Sequence, residues 1–238
     1  MTLRFPRGPG LVAASLALMM VPMLFPADAE AQSIRSPYRF IEGRHEAGVF
    51  VAQVPGNRGV MELGPGDGVQ FGARYGLELG GPFAVEFAGF LLPTDRHVRA
   101  PSESGESIEA LGVADALVGG LDGRLRFTLT GPRTWYRLAP FVVAGGGVVG
   151  NLSGRIEEED DLPSEVRFDF GPSFLGILGG GTRVVLTDHL VLRVDATAHF
   201  WKLGTPQAFL NLPESAGTVV QQQWPAVGGF SAGLSWRF

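Results

Sequence analysis

His199 is the residue of this sequence whose neighbours could most readily support catalysis. Asp195 and Thr197 precede it at two-residue spacing, so the three side chains share one face if the segment is a β-strand. A histidine beside a carboxylate can orient a nucleophile. The next residue on that face is Trp201, however, and no serine lies nearby in the sequence. The spacing therefore favours a histidine that hydrogen-bonds to its neighbours, and we predict no enzyme activity.

The acidic run Glu157 to Asp161 is the segment that could most readily bind a metal, because hard cations such as calcium favour clustered carboxylates. It lacks the interleaved glycine and carbonyl positions of a cation loop, so we predict a solvated charge run without bound metal. The chain has no cysteine, which excludes cysteine-ligated zinc and iron–sulfur sites. A net charge of -5 and the acidic run argue against a nucleic-acid partner. No cofactor is expected.

Two glycine runs, Gly145 to Gly147 and Gly179 to Gly181, suggest phosphate-binding loops at first sight. Neither is followed by Lys-Ser or Lys-Thr, and both lie inside strand-like segments, so the phosphate-loop hypothesis fails. The glycines fit better as places where a sheet curves or neighbouring chains crowd.

The first thirty-one residues read as a cleaved signal peptide. Arg4 and Arg7 precede an apolar stretch from Leu11 to Phe25, and small residues two apart follow at 27–29 and 29–31. The alternative is a membrane anchor, but the apolar run has fifteen residues with a proline inside it, whereas a spanning helix needs about 20. We therefore predict export, with residues 32–238 forming one domain.

The exported part alternates between apolar and polar residues at every second position, as a strand with unlike faces does. In Leu190 to Trp201 one face carries only apolar side chains, whereas the other carries Arg193, Asp195, Thr197 and His199. Similar segments predict about eight strands near 46–54, 67–80, 82–92, 117–130, 135–150, 172–186, 189–202 and 224–238. Most of them are near or above the 9–11 residues with which a tilted strand crosses a bilayer.

Short and long connections alternate along the chain. Tight turns are predicted at 80–82, 131–134 and 187–189, and longer polar loops at 55–66, 93–116, 151–171 and 203–223. Short turns at one end and long loops at the other are typical of outer-membrane barrels. Within the second loop, Ile108 to Val118 fits a short helix equally well. In the fourth loop, Phe209, Leu210 and Leu212 could form a contact patch for a partner or for lipid headgroups, or pack within the loop.

The distribution of charge indicates which face points outward. A surface in water should be about 25–35% charged, but the apolar faces of these strands carry almost no charge. The charges fall on the opposite, glycine-rich face, where we expect a lumen filled by ion pairs. This predicted polar network comprises Arg74, Glu78, Glu86, Asp122, Arg124, Arg126, Arg183, Arg193, Asp195 and His199.

The last eight residues, Ser231 to Phe238, resemble the C-terminal signal by which outer-membrane barrels are recognised during assembly. Ser231, Gly233, Trp236 and Phe238 fill its polar, glycine, aromatic and terminal aromatic positions. The stretch Gly179 to Arg193 also resembles the penultimate hairpin of the small outer-membrane β-barrel domain family. The resemblance implies the barrel-assembly machinery as a partner, and a location in the outer membrane among its lipids.

These observations together predict an all-β chain, a closed antiparallel up-and-down transmembrane β-barrel of about eight strands. A barrel of this size encloses side chains or one small ligand and forms no broad pore. The predicted role is structural, or binding through external loops whose ligand the sequence does not name. One alternative is an outer-membrane lipid-modifying enzyme, because His199 is similar in position to a histidine near the outer rim of such barrels. The other is a soluble periplasmic lipocalin-like carrier.

Overall fold

The computed structural model describes residues 36–102, 104, 107–153, 163, 166–168, 170–213 and 219–238. The predicted signal peptide, 1–31, and the acidic run at 157–161 lie outside the described residues and remain predictions. Within the described part of the chain, no helix is long and apolar enough to cross a membrane. The same residues contain no group of three or more side chains placed to hold a metal ion.

The described elements are almost entirely β-strands. In chain order they are β1 (Tyr38–Phe40), β2 (His45–Val54), β3 (Gly68–Gly80), β4 (Phe83–Pro101), β5 (Ile108–Thr128), β6 (Arg133–Trp135), β7 (Leu138–Asn151), β8 (Ser173–Val185), β9 (Leu190–Trp201), β10 (Leu203–Gly204), α1 (Gln207–Leu210), β11 (Gln222–Gln223) and β12 (Ala226–Arg237).

Eight of these strands close into a barrel. The order β2-β3-β4-β5-β7-β8-β9-β12 is antiparallel throughout, and β12 pairs back onto β2 from Phe230 opposite Gln53 to Arg237 opposite Glu46. Closure removes the sheet edges whose backbone groups would otherwise be unpaired in hydrocarbon. The predicted fold class, strand number and up-and-down order are confirmed.

The short turns and the two chain ends of the barrel lie together, at what we call the turn end. The connections there are 81–82, 129–137 and 186–189, and the last of these meets β12 where the Arg237 N–H donates to the carbonyl of His189 over 2.7 Å. The connections 55–67, 102–107, 152–172 and 202–225 lie at the opposite, loop end. Three of the four connections at the loop end are longer than every connection at the turn end, as predicted, but the connection 102–107 is shorter than 129–137.

The prediction of a long loop at 93–116 is wrong. β4 continues to Pro101 and β5 begins at Ile108, so most of the segment is a paired hairpin that extends beyond the barrel. The helix interpretation of 108–118 is wrong for the same reason. Period-two alternation continues there, with Val98 and Ala114 buried in one cluster. Cross-strand pairing orders the backbone of this segment, whereas an isolated helix of its length would be only marginally stable.

Strand β7 begins at Leu138 rather than at the predicted position 135. Tyr136 and Arg137 have φ angles of 48° and 69°, so they form a two-residue turn between β6 and β7, with Trp135 paired to Leu138. Such a turn needs left-handed backbone at both central positions, for which asparagine and glycine are usual. Tyrosine and arginine are not residues that predict such a turn. β1 pairs with the outer side of β6.

The exterior of the barrel is apolar and the charged side chains point inward. Phe71, Phe87 and Trp236 are 53%, 57% and 56% exposed, whereas Arg126 and Arg193 are 1% and 2% exposed. This arrangement is that of a membrane barrel. A soluble lipocalin-like carrier has the opposite arrangement, with its apolar face inward, and is thereby excluded. The predicted orientation is confirmed.

Leu121 provides a direct test of this orientation. It is 66% exposed near the middle of the barrel part of β5, whereas Leu111, 51% exposed, lies on the same strand in the hairpin beyond the barrel. Leu121→Arg is expected to lower the free energy of unfolding by about 2–4 kcal/mol, the cost of an arginine at the bilayer midplane. Leu111→Arg is the matched control and should change it little. The measurement is urea unfolding in lipid vesicles, and equal stabilities would contradict a lipid-facing Leu121.

Candidate functional site in the barrel interior

The barrel interior has two halves of different chemistry. The half nearer the turn end contains arginine and carboxylate side chains, and the half nearer the loop end contains an apolar cluster. Alternating inward positions of the eight strands supply both halves, because every second side chain of a strand faces the same side. The polar half is the predicted lumen network, and the apolar half was not predicted.

At the turn end, Arg183 and Arg126 share the Glu78 carboxylate. Arg183 donates to Glu46 and, from Nη1 over 3.2 Å, to Glu78 Oε1. Arg126 donates to the same oxygen of Glu78. Each link joins strands far apart in sequence, so the pairs connect the wall of the barrel from β2 to β8 through its interior.

In the middle of the barrel Glu86 joins two arginines. Its Oε1 accepts hydrogen bonds of 2.6 Å from Arg126 Nη1 and from Arg193 Nη1. Arg193 also donates through Nε to Asp195 over 2.6 Å. Hydrogen bonds between ionised partners are about twice as strong as neutral ones, and these carboxylates therefore stabilise buried guanidinium groups that would otherwise be costly.

The network continues through Asp195 towards β3 and β12. Ser231 donates to its Oδ1, and Arg74 Nη1 lies 3.6 Å from its Oδ2. The guanidinium groups of Arg74 and Arg193 also lie over the rings of Phe50 and Phe141, at 4.7 and 4.2 Å from the ring centres. Such contacts are typical of cation–π attraction.

Arg124 and Asp122 form a separate pair. Both project inward from β5, and Arg124 donates through Nε over 2.5 Å and through Nη2 over 2.9 Å to the two carboxylate oxygens. This is the bidentate geometry in which arginine binds a carboxylate most specifically.

His199 does not contact Asp195 in this arrangement. Its Nε2 lies 3.4 Å from the hydroxyl of Thr197, and its ring stacks on Phe90 with centroids 6.2 Å apart. Asp195 is already occupied by Arg193 and Ser231. The residues described around His199 thus form no arrangement of nucleophile, base and orienting carboxylate.

All ten residues of the predicted network lie inside the barrel, but sequence reasoning missed two others. Glu46 is the carboxylate partner of Arg183, and Arg237 Nη2 lies 3.8 Å from it. Both occupy inward positions next to strand ends. The period-two pattern indicated that Arg237 faces inward, since it alternates with Trp236 and Phe238. Its position at the end of a strand did not indicate which residues it would contact.

The apolar half is closed by residues from the loops. Trp201, Leu175 and Ile177 extend inward from β8 and β9, and loop side chains pack on them, namely Met61, Leu63, Phe168, Phe170, Leu203 and Phe209. Phe209 in α1 is fully buried, and Leu212 packs against the cluster. For Phe209 and Leu212 the alternative prediction, packing of the loop residues, therefore describes the structure; Leu210 is half-buried and is not part of this cluster.

The four residues of the predicted C-terminal signal divide between the two faces of β12. Trp236 and Phe238 are exposed on the outside, and the Phe238 ring stacks on His45. Ser231 points inward to Asp195. A Cβ atom at Gly233 would lie 2.6 Å from the carbonyl oxygen of Val49, so β12 approaches β2 closely at that point.

Comparisons with known proteins show similarity in structure alone. No protein-family model and no curated protein matches the sequence. The outer membrane protein OprG from Pseudomonas aeruginosa superimposes with a TM-score of 0.52 at 12% identity, covering 86% of this chain and 99% of that one. The chain has the fold of the small outer-membrane β-barrels.

Two further solved structures are less similar. Neisserial surface protein A has a TM-score of 0.48 at 14% identity, covering 85% of this chain and 98% of its own. Ail, the attachment invasion locus protein of Yersinia pestis, solved in complex with a heparin analogue, has a TM-score of 0.36 at 15% identity, covering 82% and 97%. At these identities the likeness concerns the fold. The predicted location in the outer membrane agrees with that fold and with the apolar exterior.

Proposed function

We propose that this protein is an integral outer-membrane barrel that holds a binding surface at its loop end and forms no broad pore. The observation that supports it is the filled interior. Arg126, Arg183 and Arg193 are among the largest fully buried side chains, and an apolar cluster closes the loop end above them. Eight strands leave room for side chains or one small ligand. The partners of the barrel itself would be outer-membrane lipids and, during assembly, the barrel-assembly machinery.

The extended β4–β5 hairpin is the element best placed to bind. Its strands have 19 and 21 residues, whereas the other barrel strands have 10 to 14. Val98 and Ala114 are buried on one side of the hairpin, and Leu111 and Val113 are exposed on the other. Exposed apolar side chains on a rigid projecting element are typical of interaction surfaces.

A photo-crosslinking amino acid at position 113 tests the binding role in intact cells, with position 121 on the lipid face as the matched control. We expect discrete protein adducts from position 113 and none from position 121. The absence of adducts from position 113 in the native host would contradict a loop-mediated role. The proposal that the barrel forms no broad pore is tested separately by planar-bilayer recording. Stable large conductance steps would contradict it.

A lipid-modifying enzyme remains the second class of function to test, because a histidine lies near the loop end. His199→Ala is expected to leave the acyl-chain pattern of lipid A unchanged, since His199 contacts Thr197 and Phe90 rather than a nucleophile. The measurement is mass spectrometry of extracted lipid A from cells that express either form. A change in acyl chains that depends on His199 would establish an enzyme.

A further inference from the structure

A cavity of about 480 Å³ opens at the turn end of the barrel. It lies between β1, the β6–β7 turn and the β8–β9 turn, and Arg237 lines it from the barrel side. Arg39 and Arg137 line it as well, with Phe40 and Leu186. We call this cavity the turn-end pocket. Neither the filled lumen nor the hairpin at the loop end accounts for it.

Arg237 is the buried guanidinium group among the three arginines that line this pocket. The residue is 3% exposed, and its Nε and Nη2 are buried without a hydrogen bond to any described residue. The nearest carboxylate oxygen, Glu46 Oε2, lies 3.8 Å from Nη2 and is already hydrogen-bonded to Arg183. A buried charge without a close partner is costly, so an anion nearby would stabilise it.

The polar half of the interior has one more cation than carboxylate. Among the described residues, six arginines face five carboxylates, namely Arg74, Arg124, Arg126, Arg183, Arg193 and Arg237 against Glu46, Glu78, Glu86, Asp122 and Asp195. In the pocket, Glu42 and Asp188 are both exposed at the rim and offset two of the three arginines. Both counts include Arg237 and leave the same single positive charge, which matches a ligand with a single negative charge.

The surroundings of the pocket favour an amphiphile over a free ion. Phe40 and Leu186 are exposed apolar side chains in its lining, and Trp135 and Tyr136 are exposed beside it on β6 and its turn. Exposed tryptophan and tyrosine at the end of a membrane protein mark the level of the lipid headgroups. Arginine side chains bind phosphate oxygens at that level.

We propose that the turn-end pocket binds the phosphodiester group of an anionic phospholipid, with Arg39 and Arg137 at the rim and Arg237 behind them. The apolar lining then contacts the glycerol and the first methylene groups of the lipid. Arg137 is held in place for this role, since its Nη1 donates to the carbonyl of Leu186 over 3.3 Å.

Native mass spectrometry of the full barrel tests the proposal. The barrel is released from vesicles of equal phosphatidylglycerol and phosphatidylethanolamine content, and the retained lipid is counted. We expect one phosphatidylglycerol per barrel. Arg39→Gln and Arg137→Gln, each alone, should weaken its retention about fivefold, the effect of one cationic side chain at a lipid surface. Arg44→Gln is the matched control, because Arg44 is exposed at the same end but outside this pocket.

Three results would overturn the proposal. Equal loss of lipid in the Arg44→Gln control would mean that general surface charge retains it. Undiminished lipid retention in both pocket variants would show that Arg39 and Arg137 do not bind the lipid. Displacement of the lipid by an equal concentration of inorganic phosphate would assign the pocket to a free anion. The two rim variants keep the interior network intact, so loss of folding is not expected, and heat-shifted migration on a gel verifies it.

Discussion

Glu86→Gln is expected to lower the free energy of unfolding of the barrel by about 3–5 kcal/mol, the usual cost of breaking a buried ion pair from one side. The Glu86 carboxylate accepts hydrogen bonds of 2.6 Å from both Arg126 and Arg193, and the residue is 1% exposed. Glutamine has the same shape but no charge, so two guanidinium groups would lose their shared counter-charge. The measurement is urea unfolding in lipid vesicles, followed by tryptophan fluorescence.

The matched control for this prediction is Glu62→Gln at the loop end. Glu62 pairs with Arg99, but its side chain is 49% exposed, and exposed ion pairs contribute about 0–1 kcal/mol. The two substitutions make the same chemical change, so their difference isolates the effect of burial. A Glu86→Gln barrel as stable as the Glu62→Gln barrel would show that water reaches the interior and screens its charges.

Gly147→Ala is expected to prevent closure of the barrel or to destabilise it by at least the ~1–3 kcal/mol typical of overpacking. A Cβ atom at Gly147 would lie 2.0 Å from the carbonyl oxygen of Leu121 and 2.6 Å from the Cα of Asp122. Both obstacles are backbone atoms of β5, which is fixed by pairing to β4 on its other side. Neither strand can move away without breaking a ladder.

Gly228→Ala provides the control, because a Cβ atom at Gly228 would meet nothing within 4 Å. Its barrel should retain heat-shifted migration on a gel, whereas the Gly147→Ala protein should migrate as the unfolded chain. Wild-type behaviour of Gly147→Ala would mean that β5 and β7 approach each other less closely than described. The sequence suggested crowding somewhere in this glycine run, and the structure identifies the backbone atoms of β5 that leave no room for a side chain at Gly147.

The strands were predictable because one physical rule governs each of them. In β9 the inward Arg193, Asp195 and His199 alternate with outward apolar residues, and the chain needs only that alternation to cover a barrel. Contacts within one strand follow from the same rule. Arg124 with Asp122, and Arg193 with Asp195, are two residues apart and share a face.

Contacts between distant strands could not be predicted in this way. Glu86 and Arg193 are 107 residues apart, and their contact depends on the curvature of the closed sheet. The apolar half of the interior was missed for a related reason. Alternation separates the two faces of a strand but does not show how far along the barrel its polar inward positions extend, so nothing in the sequence indicated that Leu175 and Ile177 lie in an apolar half of the lumen.

Residues at the two ends of the described barrel bond to each other. The His45 N–H donates to the carbonyl of Phe238 over 3.1 Å, and the Phe238 N–H donates to the carbonyl of His45 over 2.9 Å. Strands β2 and β12 are therefore paired neighbours in a closed sheet that has no edge strand. A covalent bond across that junction, with the backbone cut instead between α1 and β11, would preserve all eight ladders of the wall. The order of the strands along the chain therefore affects how the barrel assembles, but the strand pairing of the folded barrel does not depend on where the chain begins.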